Sequence, residues 1–214
     1  MKFRQSYCVV DVNLRILWVG GEWDEFALQN AGQAAVANSV LSKQIDSFIA
    51  DDDTRGAVVD LVHTVMECQR ELRIDYRADS PTMTRRFQLT IQPMRDDRAL
   101  MVHDLRDAQT FLTPLEPWHF HPAAEAEKCS FCCSVNQRDG QWCRPEALST
   151  GHPTEVRYRI CPRCTDRLRE ATQATLSGII PGKPVVNGFR PVLAVSDDDE
   201  PSARSYRGLR KNQG

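Results

Sequence analysis

The chain has 214 residues, with 41% apolar and 26% charged side chains, a composition that excludes collagen-like, coiled-coil and wholly disordered proteins. Its formal charge of −2 and pI near 6.2 give no overall electrostatic drive toward nucleic acid or an anionic membrane. No run approaches the ~20 apolar residues that cross a bilayer, and the start, MKFRQSYCVVDV, reaches an Asp before a signal-peptide core can form. The expectation is a cytoplasmic protein with no membrane partner, built from one medium domain and a small module.

Residues 7–12 and 15–19 are two β-rich runs separated by Asn13 and Leu14, a spacing that predicts a tight hairpin. From Glu22 to Ile49 the alternation disappears, and short helices and loops are expected. Asp51, Asp52 and Asp53 then precede Val58, Val62, Val65 and Met66 at helical spacing, so the acidic triplet caps a helix predicted over 54–68. Three alternating runs follow: Leu72, Ile74 and Tyr76; Phe87, Leu89 and Ile91; and residues 100–105. Two strands, a helical middle and three strands fit an antiparallel five-stranded sheet with helices on one face, an α+β arrangement.

In that order, and in the stretches VVDVNLRILWVGGEWDEFALQN, FIADDDTR and YRADSPTMTRRFQLTIQP, the chain resembles a bacterial PAS-like sensor group over about its first half. The resemblance implies a PAS-like sensor domain over 1–110, with a ligand the residues do not identify. His63 in the long helix stands away from the offset expected of a haem ligand, and the middle segment lacks the reactive cysteine motif of a flavin photosensor.

A Pro- and aromatic-rich linker is expected over 111–127, with Trp118 and Phe120 docking on another surface. Next comes a thiol-rich module at 128–180, and residues 181–214 read as a disordered tail. Six of the eight cysteines lie in 36 residues, Cys129, Cys132, Cys133, Cys143, Cys161 and Cys164. In a reducing compartment metal ligation is the stronger reading of such a cluster, and a disulfide framework the weaker. Two thiolates three apart reach one ion from a single turn, and two such turns complete a tetrahedral shell. Cys129-Ser-Phe-Cys132 and Cys161-Pro-Arg-Cys164 therefore read as the four ligands of a structural zinc, which would supply folding energy that a small module lacks. Cys133 and Cys143 stay open as replacements for one of the four, and the vicinal Cys132–Cys133 pair admits a redox role.

The 28 residues between the pairs hold a hairpin turn at Arg138-Asp139-Gly140 and an alternating run of Val156, Tyr158 and Ile160, and TDRLREATQATL after Cys164 reads as a helix. Knuckle, hairpin and helix resemble a treble-clef or ribbon-like zinc module. CSFC, GQW, Glu146 and RICPRC resemble the short cysteine module that follows some bacterial PAS, GAF and response-regulator domains.

No GxSxG elbow, Walker loop, kinase signature or HExxH is present, so no enzyme is expected. The leading reading is a signal-sensing or adaptor protein that acts through contact with another signalling protein, a homodimer through the PAS-like domain being one expected arrangement. The second reading is a transcription-associated regulator whose module touches nucleic acid through Arg157, Arg159, Arg163, Arg167 and Arg169.

Overall fold

The computed structural model describes residues 4–30, 32–136, 140–148 and 153–178. The tail at 181–214 and residues Arg138 and Asp139 of the expected turn lie outside them. Strand β1 (Gln5–Val10) alternates strictly, burying Ser6, Cys8 and Val10. It pairs antiparallel with β2 (Ile16–Gly21). The Asp11 carboxylate closes the hairpin by accepting from the amides of Asn13 and Arg15, each at 2.9 Å. Leu14 takes the left-handed backbone there, with φ 60°. Gly21 also has a positive φ, and a Cβ on it would sit 2.6 Å from the Gln5 carbonyl oxygen, so only glycine lets β2 leave the sheet at this point.

The middle contains two short helices, α1 (Trp23–Gln29) and α2 (Ala37–Val40), as the loss of alternation implied. Helix α3 (Asp52–Cys68) begins two residues before the predicted start. Its N-cap is Asp51, whose side chain accepts from the Thr54 amide at 2.8 Å, and Asp52 and Asp53 occupy the first turn.

Strands β3 (Leu72–Arg77), β4 (Met83–Met94) and β5 (Arg98–Thr110) complete a sheet of order β2-β1-β5-β4-β3, all antiparallel. The expected five-stranded α+β sheet is thus present. Register fixes its inner face: Cys8 faces Met101, Val10 faces Ala99, Ile74 faces Leu89 and Leu72 faces Ile91. These side chains join Leu61, Val62, Val65 and Met66 of α3 in one apolar cluster. Burying eight such chains from the sheet against a helix is the main drive for the fold, at about 25 cal/mol per Å² of apolar surface removed from water.

A second sheet has the order β6-β10-β7-β8-β9. Its strands are β6 (His119–Phe120), β7 (Glu127–Cys129), β8 (Val135–Asn136), β9 (Trp142–Cys143) and β10 (Glu155–Arg159). Strand β10 runs parallel to both β6 and β7. The segment expected only to link two parts therefore contributes a strand of its own. Its aromatics dock where that expectation left the surface unnamed: Phe120 stacks on Tyr158 with centroids 5.6 Å apart, and the Trp118 ring lies 4.4 Å from Lys128 Nζ. Helix α4 (Pro162–Ser177) ends on Gly178, whose left-handed backbone lets its amide reach the carbonyls of Ala174 and Thr175.

The described residues belong to one compact unit, Met1–Pro181. Cys129, Phe131, Cys161, Cys164 and Leu168 lie in the same apolar cluster as the inner sheet face and α3.

Candidate metal centre

Each cysteine pair is set by a local backbone feature. After β7 the chain turns sharply: Cys129 N–H donates to the Ser134 carbonyl at 2.8 Å and Cys133 N–H to the Cys129 carbonyl at 3.0 Å. Cys133 closes the turn in the left-handed region, φ 61°. The second pair opens α4. Cys161 is its N-cap residue, Pro162 occupies the first helical position, and the amides of Cys164 and Thr165 return to the Cys161 carbonyl.

These two turns face one another. The Sγ atoms of Cys129, Cys132, Cys161 and Cys164 all lie within 4.8 Å of one another. Cys132 Sγ is 3.7 Å from Cys161 Sγ, and the Cys161 amide points at Cys129 Sγ at 3.4 Å. A tetrahedral zinc with Zn–S bonds of about 2.3 Å requires sulfurs about 3.8 Å apart. The donor set therefore fits zinc in number, softness and spacing, and four sulfurs leave no position for water or substrate.

Three of the thiols, Cys129, Cys132 and Cys164, share protons through hydrogen bonds. Hydrogen bonds from Cys129 and Cys164 pull the Cys132 thiol well below the usual range. Its hydrogen bond with Cys132 holds Cys129 up to about 11, and those with Cys129 and Cys132 hold Cys164 higher still. A divalent cation held by the four sulfurs would take the place of those shared protons.

Cys133 and Cys143 lie outside the tetrad. Cys143 pairs with Val135 across β8 and β9. The Cys133 thiol is buried, which pushes its pKa up, and donates to the Arg77 carbonyl at 3.4 Å. His119 and His121 are not members of the sulfur cluster; at and just after β6, the His119 amide donates to the Thr154 carbonyl and the His121 amide to the Val156 carbonyl.

Sequence reasoning missed how this centre meets the sheet. β3 is an edge strand, and its outward backbone groups at Asp75 and Arg77 are taken up by the cysteine segment. Arg77 N–H donates to the Phe131 carbonyl at 2.8 Å, Cys133 caps the Arg77 carbonyl, and Arg167 of α4 donates to the Asp75 carbonyl at 3.0 Å. At these two positions an edge otherwise open to another chain is closed. Below it, Arg77 pairs with Asp79 at 2.6 Å and reaches Glu146 at 3.4 Å, while Arg85 donates to the Ala78 carbonyl and to Asn30 Oδ1. The motif RADSPTMTRR is thus an ion-paired hairpin held to the segment that contains Glu146. Of the five arginines near the second pair, Arg157 pairs with Glu127, Arg159 with Asp53 and Glu127, and Arg169 with Asp166.

No protein-family model matches the chain, and no curated protein matches it. Among solved structures, a domain of an HTR-like protein from Haloarcula marismortui ATCC 43049 is similar over 48% of this chain and 98% of that chain, at 14% identity and a TM-score of 0.37. Among the described residues no helix is long and apolar enough to cross a membrane.

Proposed function

We propose that this chain is a non-enzymatic signal-sensing or adaptor protein, in which a PAS-like sheet and helix layer is coupled to a structural zinc held by Cys129, Cys132, Cys161 and Cys164. One observation carries the reading. The thiol tetrad shares an apolar cluster with α3 and the inner face of the sheet, and its flanking residues seal the β3 edge. A change in the packing of α3 on the sheet is then felt at the metal turns, and strain at those turns is returned to α3. Four sulfurs form a closed shell, which suits a structural ion and not a hydrolytic one.

In this reading the output is contact with a signalling protein in the cytoplasm, with a PAS-mediated homodimer as the carrier. Native mass spectrometry of the protein as isolated tests metal, retained ligand and oligomer together. One zinc per chain with four protected thiols supports the reading, and folded, metal-free protein rejects it. Hydrogen exchange before and after chelation tests the coupling, with α3 and β3 amides expected to lose protection along with the cysteine turns.

The nucleic-acid reading rests on the arginines around β10 and α4. Three of the five already neutralise carboxylates of this chain, which leaves little free charge to displace counterions from a phosphate backbone. Binding to DNA or RNA that weakens steeply with added salt would restore that reading.

A further inference from the structure

Lys128 and Cys133 form a buried pair outside the metal tetrad. Lys128 is 6% exposed and Cys133 2% exposed, and Lys128 Nζ approaches Cys133 Sγ to 3.7 Å. A buried ammonium is expected to sit against a carboxylate. Lys128 has no ion pair with one among the described residues. Its Nζ is framed instead by the Trp118 ring at 4.4 Å and the Tyr158 ring at 5.4 Å, with the thiol as its remaining polar neighbour. The thiol is placed with equal care. Cys133 holds a left-handed backbone that a side chain with a Cβ disfavours by roughly 1–2 kcal/mol. Its Sγ is fixed from the far side by the Arg77 carbonyl. An amine and a non-ligand thiol are thus held facing one another, five residues apart across a single turn.

We propose that Lys128 and Cys133 are a modification site, joined under peroxide by an oxygen atom in an Nζ–O–Sγ bridge. The chemistry takes two peroxide equivalents. In the first step a peroxide oxygen is transferred to Cys133 Sγ: the S–O bond forms, the O–O bond breaks, one water leaves, and the thiol becomes a sulfenic acid. In the second the Lys128 ammonium releases one proton to water, its nitrogen and the sulfenic oxygen each give up one hydrogen as the N–O bond forms, and the two electrons released reduce a second peroxide to two waters. Across both steps one ammonium, one thiol and two peroxides give one bridge, three waters and one proton. The flexible four-carbon stem of lysine supplies the small movement that closes the gap. The bridge would tie the start of the first metal turn to its end and so bear on the β3 edge that Cys133 caps.

The test is peptide mapping of the full-length protein, metal retained, before and after hydrogen peroxide. A bridged Lys128 is no longer cut by trypsin, so a peptide spanning Lys128 and Cys133 is expected uncleaved, heavier by one oxygen less two hydrogens, about 14 Da, and restored to two ordinary peptides by dithiothreitol. Lys128→Arg should leave Cys133 to proceed to sulfinic acid, and Cys133→Ser should abolish the uncleaved species. Because the wild-type map is itself decisive, the proposal does not depend on either variant folding. Oxidation confined to Cys133, with Lys128 still cut, overturns it, as does an unmodified pair after the exposed thiols have reacted. The proposal is independent of the zinc assignment, since loss of metal would be read at the four tetrad peptides and not at this one.

Discussion

Thr54 Oγ1 donates to Ser130 Oγ at 2.7 Å, joining the first turn of α3 to the residue that stands between Cys129 and Cys132. Ser130 Oγ in turn donates to the carboxylate of Asp51, the residue that caps α3. One short network therefore serves as both helix cap and support for the turn that holds Cys129 and Cys132. Ser130→Ala removes both hydrogen bonds and is expected to leave any bound metal's stoichiometry unchanged while lowering stability by about 1–2 kcal/mol, each such bond being worth about 1 kcal/mol. Hydrogen exchange at residues 51–55 should quicken. Unchanged exchange there would mean that the turn and the helix are not coupled through this contact.

The tetrad predicts a contrast among cysteines. Serine at Cys129, Cys132, Cys161 or Cys164 removes one of four donors and should take bound zinc from one per chain toward none, with a large fall in melting temperature, because ion binding and folding are linked. Cys143→Ser should retain the metal, since Cys143 stands outside the cluster. Metal analysis of the five variants decides it, and zinc lost equally from all five would remove the assignment.

Asp79 presents a different kind of dependence. Its side chain is fully buried, paired with Arg77 and accepting from the Arg85 amide at 3.0 Å. Asp79→Ala leaves the largely buried Arg77 guanidinium with only the longer contact to Glu146 at 3.4 Å, so the cost should approach the lower end of the range, about 3–5 kcal/mol, expected when a buried pair loses one partner. Denaturant unfolding of this variant should show a lower midpoint with an unchanged slope. A cost under about 1 kcal/mol would place the pair among the weak surface ion pairs.

What was legible in the sequence follows the reach of each signal. The β-rich run over 7–12 and the alternation of Leu72, Ile74 and Tyr76 mark a sheet because strand side chains change face every residue, and the Asp51 cap marks a helix start because its carboxylate acts locally. Each cysteine pair announces itself by spacing; that Cys133 lies outside the cluster of four could not be read, since moving a ligand by one place leaves a plausible turn. The closure of the β3 edge was invisible for another reason. It is made largely by backbone groups of Asp75, Arg77 and Phe131, and any residue supplies those. The strand at His119–Phe120 lacked length, as two residues between prolines carry no period. The burial of Lys128 depends on Trp118 and Tyr158 converging from two parts of the chain.

His103 gives the fold a defined acid sensitivity. Burial lowers its pKa from the ordinary 6.5 to about 4, with Asp104 opposing in part, and the Tyr76 hydroxyl lies 2.8 Å from its Nδ1. The ring is thus neutral in the folded chain, and at intermediate pH the unfolded chain binds the additional proton. Stability must then be fullest above about pH 6.5 and decline as pH falls toward 4, by about 3 kcal/mol at most for a shift of this size. His103→Gln keeps a polar group beside Tyr76 but cannot take up the proton. Its stability should vary less over the same interval, so that the difference from the parent chain narrows with acid. Urea unfolding at several pH values measures both curves, and parallel curves would show that His103 does not titrate on unfolding.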